Sequence, residues 1–336
     1  MADLVTGASG FLGGALARIL IERGKDVRAL VRSTSSVSHL EGLPIEIVVG
    51  DLADRPALEK AVKDVSIVYH CAALSSDWGP SDSFEAANVD GVQNLLHAAE
   101  QAETIQRFVH VSTTDVYGYP KTRVDEASEP TNVGLPYNRT KIAGENLVRD
   151  THERDRLPVT IIRPATVFGP RSAEFATEMA GLLLDGGLPL IGGGTSQAGL
   201  VYVDDVAEAM ITAAYSARTI GGTYNVRDPE PMTWSEYIAQ LAEGIGAHLP
   251  RLNIPTGLAL MIARGLEAGY GVARAGKRPL LTRHAVLVLT RPQDYLIARA
   301  ERDFGFEPSV GLAIGIQRTV GWLNSDEGLR ALAERQ

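Results

Sequence analysis

Ten residues near the start of the chain restrict its fold more than any others: Leu4-Val5-Thr6-Gly7-Ala8-Ser9-Gly10-Phe11-Leu12-Gly13. An apolar run breaks into three glycines spaced by three, and amphipathic sequence follows at once. The pattern predicts a strand, a tight turn and a helix. In that arrangement free N–H groups and the positive end of the helix face an anion, and a pyrophosphate matches. Gly7 suits the tight turn, Gly10 admits close backbone approach, and Gly13 lets helix lie on strand. Ser9, Phe11 and Leu12 complete the turn and join the glycines as candidate cofactor contacts. Glycine spacing alone is weak; the strand before it and the helix after it give it weight.

Apolar runs and amphipathic stretches then alternate. Strands are expected at 27–31, 45–49, 66–70, 107–112, 159–163 and 223–226, and helices at 11–23, 85–103 and 173–184. Asp204 is placed to cap a helix running to Ala217, and Thr233 with Glu236 has capping-box spacing. Strict alternation implies an α/β fold with a doubly wound parallel sheet, helices on both faces. Ligands of such sheets sit outside the carboxyl ends of the strands.

The chain has 336 residues, 45% of them hydrophobic, enough for one domain plus a lobe. A net charge of −9 and the lack of a basic stripe argue against nucleic acid. Cys71 is the only cysteine, so no intrachain disulfide forms and a reducing cytoplasm is expected. No signal peptide is visible, and no apolar run reaches the roughly 18 residues of a membrane span. No His/Cys group has metal-ligand spacing.

The expected strand ends carry the chemistry. Arg32 follows the second strand where an acid would accept adenine ribose hydroxyls; an arginine accommodates a 2′-phosphate, which favours NADP(H), with NAD(H) the alternative. Asp51, followed by Leu52, is placed to bond the adenine amino group. Ala72 and Ala73 are small enough for a cofactor to lie across the strand tips. Trp78 and Thr113 fall on the same edge. Tyr137 and Lys141 are four apart and share one helix face. A free phenol has a pKa near 10, and a neighbouring ammonium is expected to pull it down toward neutrality, as an acid/base tyrosine needs. Thr113 is placed to hold a substrate oxygen beside the phenol.

These residues resemble the extended short-chain dehydrogenase/reductases, the NAD-dependent epimerase/dehydratase superfamily. The markers are TGASGFLG at 6–13, DL at 51–52, HCAA at 70–73, NVDG at 88–91, VSTTDVYG at 111–118, YNRTK at 137–141 and RPATVFGP at 163–170. The resemblance implies a Rossmann domain over 1–171 and 200–226. A smaller, mainly helical C-terminal substrate lobe would comprise 172–199 and 227–336. It implies Tyr137 as the acid/base and Lys141 as its tuner and ribose ligand. Thr113 would be the hydroxyl partner, and Asn88 the support of the active-site helix. Pro164 and Val167 would border the nicotinamide. Trp78, Thr114 and Tyr202 are expected to line the substrate pocket.

In the nucleotide-sugar members of this family an arginine five residues before the valine of V-D-D meets the substrate phosphates. Here that position is Ala198, which cannot clamp a diphosphate, so a nucleotide-sugar substrate would need another arginine, Arg171, Arg251 or Arg291, in its place. Residues 256–270 are largely apolar and are expected to wall a hydrophobic pocket, or to touch a membrane surface weakly. The layout is closest to the 3β-hydroxysteroid dehydrogenase and 2-alkyl-3-oxoalkanoate reductase branch. Alcohol/ketone interconversion on a sterol-like or fatty-acid-derived molecule is therefore expected. A nucleotide-sugar epimerase/dehydratase and a non-catalytic dinucleotide sensor are the alternatives. A homodimer through helices 85–103 and 137–154 is what the resemblance suggests.

Overall fold

The computed structural model describes residues 1–154, 156–273 and 278–335. Its sheet comprises β1 (Ala2–Thr6), β2 (Val27–Val31), β3 (Ile45–Val49), β4 (Val65–His70), β5 (Arg107–Val111), β6 (Val159–Pro164) and β7 (Thr223–Val226). All neighbours are parallel, in the spatial order β7-β6-β5-β4-β1-β2-β3. The order runs outward in both directions from β1 and β4, the switch point where ligands of such sheets bind. The glycine turn leaves β1 there, and residues 71–73 leave β4.

Successive strand residues serve opposite layers, so the strands read as nearly continuous apolar runs. On one face Val5, Tyr69, Val109 and Ile162 pack against Leu16, Leu20, Val206 and Met210. On the other, Leu4, Val68, Phe108 and Ile161 meet Leu58, Leu95 and Val148. A third core around Phe168, Leu200, Trp234 and Tyr237 joins the sheet to the C-terminal helices. Among the described residues no helix is long and apolar enough to cross a membrane.

Three local expectations need correction. The stretch 173–184 opens as a π segment, Ala173–Glu178, and is α-helical only over Met179–Leu184. The stretch 85–103 is not one regular helix: Ser81–Glu85 and Gly91–Gln101 flank a π turn, Ala86–Asp90. That wide turn carries Asn88, which is buried, and such bulges are frequent at functional sites. Asp204 is not a cap. The helix Val203–Tyr215 starts two residues earlier, from Tyr202, and Asp204 in its first turn pairs with Arg18 at 2.7 Å. The capping box at Thr233 and Glu236 forms as the spacing predicts.

Beneath the strand tips, Arg163 and Glu145 form a buried ion pair, 1% and 2% exposed. Arg163 also donates to the Tyr117 hydroxyl at 2.7 Å, which in turn donates to Asn225 Oδ1 at 2.8 Å. The pair ties β6, β7, the turn Thr114–Tyr117 and the helix Pro136–Glu153 together. Burial favours a neutral Glu145, but the bonds and charge of Arg163 outweigh it and hold the carboxyl below its ordinary range. The stability this contributes is present above the free glutamate value and is lost as pH falls through the folded one. Glu145→Gln, which strands a buried guanidinium, should lower the unfolding free energy by about 3–5 kcal/mol at pH 7 in urea denaturation. The deficit should narrow on acidification.

Candidate active site

Tyr137 is the second residue of the helix Pro136–Glu153, whose proline start needs no backbone donor. The helix brings its phenol to the carboxyl edge of the sheet, where Thr113 follows β5. Thr113 is extended, with φ −160°, and its Oγ1 accepts from the Asp115 N–H at 3.1 Å. The hydroxyls of Thr113 and Ser75 lie against the phenol of Tyr137. Its ring stacks on His284, centroids 5.9 Å apart and planes 17° apart. A cavity of about 180 Å³ opens beside it, walled by Trp78, Phe84, Leu135, Arg283 and His284. This is smaller than the roughly 300–1,000 Å³ of most ligand pockets and has room for the reacting end of a molecule.

The electrostatics differ from the sequence expectation. Burial and then the Asp115 charge push the Tyr137 phenol above its ordinary value, although the Ser75 and Thr113 hydroxyls pull the other way. The expected downward pull of Lys141 does not prevail. The Lys141 ammonium donates to the Val111 carbonyl at 2.6 Å, and burial lowers its pKa to about 8 against the opposing charge of Glu145. Asn88 joins the surrounding loops: its amide exchanges hydrogen bonds with Leu74, 2.8 and 3.1 Å, and donates to Thr140 Oγ1 at 3.2 Å.

The glycine turn has the geometry its sequence implies. Gly7 has φ +70°, and a Cβ there would lie 2.8 Å from the Ala72 backbone. A Cβ on Gly13 would lie 2.7 Å from the Gly7 carbonyl carbon and closer still to its oxygen. Gly10 caps the helix Phe11–Glu22 without a side-chain bond, and its first turn holds no acid. Those N–H groups and the adjoining cradle suit a dinucleotide pyrophosphate. Ser9, Phe11 and Leu12 are half-buried around the turn. Arg32 and Asp51 stand exposed beyond β2 and β3, and the Leu52 carbonyl accepts from Asn94 at 3.0 Å. Ala72 is half-buried and Ala73 exposed beyond β4. Pro164 is buried, and Val167 is half-buried in the short strand Thr166–Phe168.

Two expected pocket residues are elsewhere. Thr114 is buried with its hydroxyl against the Tyr295 phenol. Tyr202 is buried against Phe168, ring centroids 5.7 Å apart, and against Gly315. The residues 256–270 also wall the cavity differently from expectation. Their helix, Thr256–Ala273, contributes Glu267, while Ala259 and Ala263 pack on Ile191 and Val286 and Met261 faces outward. Sequence reasoning missed His284, Asp115 and Ser75, which surround the phenol, and His39, whose Nε2 lies 3.0 Å from the Ala8 carbonyl of the glycine turn.

Comparison with known proteins agrees with this geometry. The NAD dependent epimerase/dehydratase family profile matches residues 4–226. The chain is 33% identical to a 2-alkyl-3-oxoalkanoate reductase of Stenotrophomonas maltophilia (strain K279a), over 95% of this chain and 98% of that one. It is 29% identical to a 3-beta-hydroxysteroid dehydrogenase of Mycolicibacterium neoaurum, over 91% and 86% of the two chains. A dTDP-glucose 4,6-dehydratase double mutant from Streptomyces venezuelae, solved with NAD bound, superposes with a TM-score of 0.80. It is 25% identical and covers 98% of each chain.

Burying the Lys141 ammonium makes stability depend on pH in a direction its chemistry dictates. Between about pH 8 and the free-lysine value the unfolded chain binds a proton that the folded one does not, so stability rises with pH. The rise should reach about 3 kcal/mol and vanish in Lys141→Met, as urea denaturation across pH 7–10.5 without cofactor will show.

Proposed function

The chain belongs to the NAD dependent epimerase/dehydratase family, the extended short-chain dehydrogenase/reductases, and from that premise we propose that it interconverts a ketone and a secondary alcohol on a hydrophobic molecule. The observation that carries this reading is Tyr137 with the Thr113 hydroxyl against it, at a cavity on the switch-point edge of the sheet. The glycine turn would hold a nicotinamide dinucleotide, which when bound would supply or accept the hydride. In the reductive direction Tyr137 Oη gives its proton to the carbonyl oxygen, and Thr113 Oγ1 steadies that oxygen as charge develops. A phenol kept protonated by burial suits the donor role. Asn88 holds the loop after β4 against the active-site helix, and Lys141 fixes the charge beneath the site.

An alkyl-chain or steroid-like substrate is supported by what the relatives' names say they act on and by the Trp78, Phe84 and Leu135 walls. The nucleotide-sugar alternative is disfavoured because the arginine of its phosphate clamp is replaced by Ala198. Ala198 is fully buried, with its N–H on the Met232 carbonyl at 2.8 Å, and Arg171 pairs with Glu327 at 3.4 Å. NADP(H) is the preferred cofactor in this reading because Arg32 stands exposed at the end of β2 with no acid beside it.

Tyr137→Phe should lower turnover of steroidal or long-chain ketones by about 10²–10⁴-fold while fluorescence titration shows NADPH still bound. Turnover near that of the unsubstituted protein would remove Tyr137 from the reaction. Arg32→Glu should weaken NADPH binding by about tenfold or more and spare NADH. Equal loss of both cofactors would count against a 2′-phosphate contact.

A further inference from the structure

His284 enters the site from the helix Arg283–Thr290, and nothing in the reaction described above uses it. Its Nε2 lies 2.9 Å from Asp115 Oδ2, and its ring lies nearly parallel to that of Tyr137. The groups facing it come from several elements. Asp115 and Tyr119 follow β5, Tyr137 begins the active-site helix, Asp77 lies in the loop after β4, and Glu174 comes from the turn Ala173–Glu178. Asp77 is bound by Arg278 and by Thr282 Oγ1, and Glu267 is bound by Arg283 at 2.5 Å. Asp115 is thus the carboxylate of this wall whose hydrogen-bonded partner is an imidazole.

We propose that His284 is a positioning residue for the proton donor: it braces the Tyr137 ring and cancels the charge of Asp115 beside the phenol. The inference rests on Tyr137 as the acid/base. Burial disfavours a charged imidazole, but the Asp115 bond and charge, helped by Glu174 and Asp77, raise its pKa above the ordinary value. The imidazolium therefore persists to a higher pH than a free histidine would allow. As pH rises through the folded value the cation is lost, Asp115 stands uncompensated, and the phenol is held protonated more firmly. No proton passes between the two rings.

Two variants separate this from a purely structural role. The pH profile of alcohol oxidation, measured with a 3-hydroxysteroid or a long-chain 3-hydroxyalkanoate, has a limb set by phenol ionisation. Asp115→Asn should move that limb down by about one pH unit. The imidazole is neutral where the phenol ionises, so His284→Gln should leave the limb in place and should instead abolish the fall in ketone reduction that accompanies loss of the imidazolium. A limb unmoved in Asp115→Asn, or a reduction profile unchanged in His284→Gln, overturns the proposal. A second readout needs no turnover: NMR titration of the His284 imidazole in the unsubstituted protein should give a value above 6.5, lower in Asp115→Asn. An ordinary or depressed value in the unsubstituted protein also overturns it. If Tyr137→Phe is inactive while these shifts are absent, only the role of His284 falls. If Tyr137→Phe is fully active, the assignment of Tyr137 falls first.

Discussion

Helix Phe11–Glu22 lies on β1 with no side chain between Gly13 and the Gly7 backbone, and the rest of the site depends on that contact. A methyl group there would meet the Gly7 carbonyl well inside van der Waals range, so the helix would have to lift. Seated as it is, the helix points its uncapped first turn into the space between β1 and β4. Strand order reverses at the same place, so the loops after β4 and β5 rise on that edge and deliver Ser75 and Thr113 to it. A backbone contact thereby decides where the chemistry can occur.

Around the phenol the protein has gathered more charge than an apolar pocket would need, some of it buried and some at the rim. Below it lie Lys141, Glu145 and Arg163; beside it lie Asp115 with His284, Asp77 with Arg278, and Glu267 with Arg283. Such pairs contribute little net stability compared with well-packed apolar groups, because desolvation offsets the attraction. They do fix geometry, since each partner has one acceptable position. The walls from residues 77, 267, 278 and 283 are therefore held by ionic ties in addition to the apolar packing of Ala259 and Ala263 on Val286. Glu174, less well matched, shows the cost: burial and Asp77 push its carboxyl up to about 7.

The sheet was legible because parallel strands buried on both faces must be apolar throughout, and six expected strands stand within a residue of their observed ends. Tyr137 and Lys141 were legible through helical spacing, and Thr113 through its place after a strand. Thr114 and Tyr202 were misplaced because adjacency to a motif does not say which way a side chain points; both turn into the core. Asp204 looked like a cap by residue type, yet Arg18 claims its carboxylate. His284 was not legible at all. Its bond to Asp115 spans 169 positions, and no spacing rule reaches across such a separation.

The protonation states around Tyr137 suit giving a proton better than taking one. Burial acts on Tyr137 and Lys141 in opposite senses, raising the phenol and lowering the ammonium, because each prefers its neutral form when desolvated. A phenol held neutral by burial makes a competent acid and a poor base. A phenol in that state can give a proton to an oxygen that is gaining charge. It can accept one only after something stabilises the phenolate. Lys141 is tied to the Val111 carbonyl, and its shifted value near 8 leaves it mostly charged at neutral pH. Asp115 opposes it from the other side. In the reaction proposed above, the Asp115 charge, more than the tyrosine itself, sets how readily Tyr137 would take up a proton rather than give one.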